Sequence, residues 1–132
     1  MTNPIEAEII KLHQFFQAWF KGALPNTPAA FSRMERVMGE GFKLIGPDGH
    51  MAERASLLHG LFQAHGGHPQ MRIWIEQVQV QQRIGPITLA TYEEWQEVDQ
   101  QVTRRISTVL FQSRANTPNG VEWLHVHETW LE

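Results

Sequence analysis

The chain has no cysteine among its 132 residues. That absence removes disulfides, thiol nucleophiles and cysteine-ligated metals, and it suits a cytoplasmic protein. Charge of one sign is also scarce. Eleven Lys and Arg stand against 14 Asp and Glu, a formal net charge of −3. No basic field marks a nucleic-acid surface. No apolar run approaches the length of a membrane helix, and no basic region followed by an apolar stretch opens the chain. Neither a membrane span nor a secretory leader is therefore expected.

What is there reads as one domain, residues 1–132, long enough for a real core. Five tryptophans are many for this length, and large aromatics fill cores or line apolar cavities. The spacing predicts a first helix from Asn3-Pro4 to Gly22, with Asn3 as cap, Pro4 at the first helical position and Glu6 as the capping-box acid. A second helix starts at Thr27-Pro28, carries Phe31, Met34, Val37 and Met38, and ends at Gly39 to Gly41. Gly41 to Ile45 reads as a short strand, followed by a Gly46-Pro47-Asp48-Gly49 turn. A third helix is expected from Ala52 to His65, closed by Gly66-Gly67.

From Met71 the apolar period becomes two. Met71, Ile73 and Ile75 alternate, then Val78 and Val80 continue on the other parity, which predicts a β-bulge near Glu76-Gln77. Strands over Ile87–Val98, Val102–Ser113 and from Gly120 to the C-terminus complete an antiparallel meander of four long strands. The fold class is α+β: three helices packed on a curled, mostly antiparallel sheet in the order α-α-β-α-β-β-β-β, with a pocket between helices and sheet.

That order, with the pieces Phe42-Lys43-Leu44-Ile45-Gly46-Pro47-Asp48-Gly49, Ser107-Thr108-Val109-Leu110-Phe111 and Trp123-Leu124-His125-Val126-His127-Glu128-Thr129, resembles the nuclear transport factor 2-like (cystatin-like) superfamily. It looks most like the small bacterial SnoaL-like and kinase-association-domain-like members. The resemblance covers nearly the whole chain. It implies a conical pocket on the concave sheet face. It also brings in ketosteroid isomerase, scytalone dehydratase, polyketide cyclases and the association domain of calcium/calmodulin-dependent kinase II as relatives of very different activity. An isomerase-like site needs an acid and hydroxyl donor set. Tyr92, the only tyrosine, falls on the parity opposite Glu93, which counts against a close copy of that site.

Parity places Thr91, Glu93 and Trp95, then Arg104, Ile106, Thr108 and Leu110, then Trp123, His125, His127 and Thr129 on the concave face. Phe16, Phe20, Phe42 and Trp74 are expected as apolar walls. The ligand-binding set is thus Trp95, Arg104, Thr108, Trp123, His125, His127, Phe16, Phe20, Phe42 and Trp74. His125 and His127 admit a metal pair completed by Glu93 or His13, acid–base work, or a hydrogen-bonded pair without chemistry. The last is the simplest, and no metal or cofactor is expected. Should a reaction occur, His127 and Glu93 are the residues to move a proton. Glu93 and Arg104 have the parity to meet as an ion pair. The apolar row Ala90, Tyr92, Val109, Phe111, Leu124, Val126 and Trp130 is expected on the outer face, joining a homodimer. The leading function is binding of a small, partly apolar molecule. The alternatives are an isomerase, dehydratase or cyclase type of enzyme and a purely associative domain.

Overall fold

The computed structural model describes residues 3–132. Its elements are α1 (Pro4–Lys21), α2 (Pro28–Glu35), β1 (Met38–Ile45), β2 (Met51–Glu53), α3 (Arg54–Gln63), β3 (Arg72–Ile84), β4 (Ile87–Val98), β5 (Gln101–Ser113) and β6 (Val121–Leu131). The strands form one sheet in the order β2-β1-β6-β5-β4-β3. Every pairing is antiparallel except β1 with β6, which is parallel. This is the α+β arrangement expected, with the helices on one face of the sheet.

Local chemistry explains the boundaries. Asn3 Oδ1 accepts from the Glu6 amide at 2.8 Å, and Gly22 closes α1 at φ 77°. That left-handed conformation favours glycine. Thr27 caps α2 through the Ala30 amide. The expected bulge in β3 is present: the register with β4 shifts between Glu76 and Gln79, and Gln77 has φ 56°.

Two boundaries differ. α2 stops at Glu35 instead of running to Gly39, and β1 already begins at Met38. A Cβ on Gly39 would lie 3.1 Å from the Trp123 carbonyl oxygen, so glycine here permits the close approach of β1 to β6 instead of ending a helix. The short strand β2 precedes α3, so that helix starts at Arg54.

The core lies between α1, α2 and the sheet, and includes Ile9, Leu12, Trp19, Phe31, Met34, Val109, Phe111 and Trp123. Charged groups sit inside it, Glu8 among them. Glu8 is fully buried. Its carboxylate accepts two bonds from Arg33 (2.8 and 3.3 Å), one from Asn119 Nδ2 (3.0 Å) and one from Trp123 Nε1 (2.8 Å). Four donors from α2, the β5–β6 loop and β6 thus converge on α1. A buried carboxylate is tolerated only when so paired. Glu8→Ala leaves these donors unmet and is expected to cost about 3–5 kcal/mol in urea unfolding. A loss below about 1 kcal/mol would show that Glu8 does not organise the core.

Candidate functional site

Register decides which side chains face the helices. Across β4, β5 and β6 the inward rows are Thr88–Phe111–Trp123, Ala90–Val109–Val126, Tyr92–Ser107–Glu128 and Glu94–Arg105–Trp130. The outward rows are Leu89–Leu110–His125, Thr91–Thr108–His127, Glu93–Ile106–Thr129 and Trp95–Arg104–Leu131. Between Leu110 and Phe111 the β5–β6 register shifts, so Leu124 is an extra residue on β6. Trp123 and Val126 consequently both face inward.

This corrects the face expected for most of the site. Trp123, Phe16, Phe20 and Phe42 do line the inner cavity. Glu93, Trp95, Arg104, Thr108, His125 and His127 lie on the outward rows instead, and Trp74 pairs with Trp95 there. The one-residue bulge at Leu124 turns both histidines away from the helices. On β4 and β5 the more apolar parity is the inner one, because the core takes it. Val109, Phe111 and Val126, expected outside, are core residues, and Tyr92 faces the cavity.

Outside, the planes of Trp74 and Trp95 stack at 19°, with Arg72 over the first ring and Arg104 over the second. Glu93 accepts from Trp95 Nε1 at 3.1 Å, and Arg104 bonds the Glu132 carbonyl. The two are not an ion pair.

Inside is a cavity of about 180 Å³. Its apolar lining includes Phe16, Phe20, Met38, Phe42, Leu57 and Leu61. Its polar lining is His13, Tyr92, Glu94, Gln96, Arg105 and Glu128. α1 supplies His13 from its apolar stripe. Its Nδ1 donates to the Ile9 carbonyl at 2.7 Å and its Nε2 to Glu94 Oε1 at 3.0 Å. Two acceptors require both ring nitrogens protonated, so the imidazolium is the form that fits. Burial opposes that charge, but the Glu94 carboxylate and the Ile9 carbonyl raise the His13 pKa.

Glu94 is the counterpart. Burial alone would raise its pKa, yet His13, Arg105 and the bond from Gln96 hold it down to about 2. Glu128 goes the other way. Burial and the nearby Glu94 charge push it up to about 7 against the pull of Arg105 and His13. Two carboxyl groups in one cavity are thus driven apart in acidity. Arg105 Nη1 reaches Glu128 at a long 3.4 Å, and its guanidinium lies 4.6 Å over the Trp130 ring. Its Nε is buried and has no hydrogen-bond partner among the described residues. At the rim Trp130 Nε1 donates to Asp48 at 3.2 Å, which ties the β1–β2 turn to β6.

Sequence reasoning missed Glu94, Arg105 and Glu128, and considered His13 only as a spare metal ligand. A signal existed. Each sits on the parity that the core takes: Ala90, Tyr92, Glu94; Phe111, Val109, Ser107, Arg105; Val126, Glu128.

Residues 5–132 match the family model described as sucrose-6-phosphate phosphohydrolase C-terminal. Sucrose-phosphatase 1 of Nicotiana tabacum is 29% identical over all of this chain and 32% of its own length. Sucrose-phosphatase 2 of the same plant is 28% identical, over 99% of this chain and 32% of its length. The chain therefore spans about a third of the curated relatives it matches. Among solved structures, an NTF-2-like protein of unknown function from Pseudomonas aeruginosa superposes with a TM-score of 0.87 at 21% identity, covering 98% of this chain and 99% of that one. The CaMKII hub of S. rosetta gives 0.64 at 16% identity, with 80% and 83% covered. These likenesses show the nuclear transport factor 2-like fold expected above.

The ion pair makes a stability prediction. The side chains of His13 and Glu94 are 4% and 9% exposed, so Glu94→Gln, which removes the charge that keeps His13 protonated, is expected to cost about 1–3 kcal/mol near neutral pH. Glu94's folded pKa lies below its ordinary 4.5. Its contribution is therefore present above that value and lost as pH falls toward 2. Urea titrations along an acid pH series should show this acid limb in the parent and a shallower one in Glu94→Gln. Parallel acid limbs would contradict the pairing.

Proposed function

The chain belongs to the sucrose-6-phosphate phosphohydrolase C-terminal family, and from that membership we propose a ligand-binding accessory role. The inner cavity takes a small, partly apolar molecule, in a domain that accompanies sucrose 6-phosphate hydrolysis instead of performing it. The observation that carries this is a cavity lined by Arg105 together with Phe16, Phe42, Leu57 and Leu61, the arginine's buried Nε having no partner among the described residues. Such a donor costs free energy until an acceptor arrives. The relatives named for sucrose phosphate hydrolysis are about three times as long, which leaves most of their length to house that chemistry. Residues 1–132 act as one domain in this reading, and a chain without cysteine suits the cytoplasm.

Proton transfer of the isomerase type has one feature in its favour, the Glu128 carboxyl held near 7. Tyr92 and Arg105 line the same cavity as donors, but the imidazole that would shuttle the proton is already held. Both His13 nitrogens are committed to Ile9 and Glu94. Binding is therefore the better reading.

Native mass spectrometry and thermal shift against a panel of compact aromatic and alicyclic metabolites test it. Leu57→Trp fills the cavity from α3. The parent should gain at least about 2 °C with its ligand, and the variant should gain nothing. Equal gains in both would place binding elsewhere and end this reading.

The associative alternative has a different support. The outer sheet face exposes Val102 and Ile106, at 54% and 39%, beside the Trp74–Trp95 stack. A second copy on this face would cover them. Sedimentation at micromolar concentration should give a dimer, and Ile106→Arg a monomer of unchanged fold. A monomeric parent would overturn this pairing.

A further inference from the structure

We infer that the inner cavity takes a small monocarboxylic acid with a compact apolar body, the carboxylate on Arg105 and the body among Phe16, Phe42, Leu57 and Leu61. This rests on the binding role proposed above and names the class of ligand.

A guanidinium offers five N–H groups in a fixed fork that fits a carboxylate through two parallel bonds. Arg105 Nε is buried and unpartnered among the described residues, and Nη1 has only the long contact to Glu128. A ketone or amide would satisfy the hydrogen bond and leave the charge poorly matched. A carboxylate satisfies both.

Among the lining side chains His13 and Arg105 are the cations and Glu94 the fixed anion. Glu128 is the group that varies. With Glu128 neutral the lining carries one positive charge, and a monoanion brings it to zero. With Glu128 ionised the lining is already neutral, and an entering anion would be an unpaired charge in an apolar place. Binding therefore goes with a proton on Glu128. The groups around it are Glu94 and Tyr92 on β4, Arg105 on β5 and His13 on α1. Met34 of α2 and Leu57 and Leu61 of α3 bring no charge.

The same count disfavours a sugar phosphate here. A phosphate monoester carries about −1.5 to −2 at neutral pH, more than one free cation can match. Size agrees. The volume is about 180 Å³, near that of cavities of about 150 Å³ known to hold a benzene ring.

Isothermal titration of the whole chain with benzoate decides the point, with benzamide as the neutral twin and phenyl phosphate as the more highly charged one. At about pH 6 benzoate should bind at least about tenfold more tightly than either. Its affinity should fall about tenfold by about pH 8, with proton uptake visible as heats that differ between buffers. Glu128→Gln should remove that pH dependence. Arg105→Gln should remove the preference for benzoate over benzamide. If that variant fails to fold, the Glu128→Gln pH profile still decides. Benzamide binding as tightly as benzoate overturns the carboxylate and leaves cavity binding intact. Phenyl phosphate binding best overturns the charge count. A flat pH profile in the parent overturns the role of Glu128. If none of the three binds and the metabolite panel is also silent, cavity binding itself falls.

Discussion

The buried carboxylate of Glu8 is the constraint on which the arrangement depends. A charge without water must be met by donors, and those donors come from three other segments. Meeting them sets where α1 lies. Further along the same helix, His13 bonds Glu94 on β4, and Gln17 Oε1 accepts from the Ile73 amide of β3 at 2.7 Å. Trp19 Nε1 then donates to the Leu61 carbonyl of α3. The nine residues from Glu8 to Gln17 rise about 14 Å. Three inter-strand steps, from β6 to β3, also span about 14 Å. The polar residues of α1 thus step across the sheet and hold the helix over it, which leaves the cavity beneath.

The electrostatics of that cavity follow from the anchors. His13 is placed by the helix, and its charge fixes Glu94 as the anion. Glu94 then acts on Glu128 from the neighbouring region of the sheet, where burial already disfavours a second charge. Arg105 is left between the two carboxyl groups, bonded loosely to one and stacked on Trp130. The site's unspent capacity is a by-product of how firmly the first pair is built.

Much of the fold was legible because its signals are local. Asn3-Pro4, Thr27-Pro28 and Pro47-Asp48-Gly49 punctuate the elements by their own backbone chemistry. The bulge near Gln77 was legible too, since Ile75 and Val78 change parity around it. The bulge at Leu124 was not. Both faces of β6 carry aromatic, aliphatic and polar residues, so a shift there leaves no trace in the pattern. The inversion on β4 and β5 has another cause. Polar rows were assigned to the pocket and apolar rows to the outside, yet the apolar rows Ala90–Val109–Val126 and Thr88–Phe111–Trp123 are what the helices cover. The outward Arg and Trp residues stack on one another. The candidate site therefore had to be read as charges interrupting the core face, and no periodicity marks which of those charges meet across strands.

The parallel pairing of β1 with β6 carries a kinetic consequence. Met38 lies beside Trp123 and Leu44 beside Val126, partners more than eighty residues apart in sequence. The hairpins β3–β4, β4–β5 and β5–β6 close through short loops and can form early at small entropic cost. β1 and the helices can join them only after a long loop has closed. The rate-limiting event in folding should then be the docking of the N-terminal half against the edge of a preformed meander. Until that docking, the apolar face of the meander stands open to solvent, and this is the interval in which the chain is most prone to self-association.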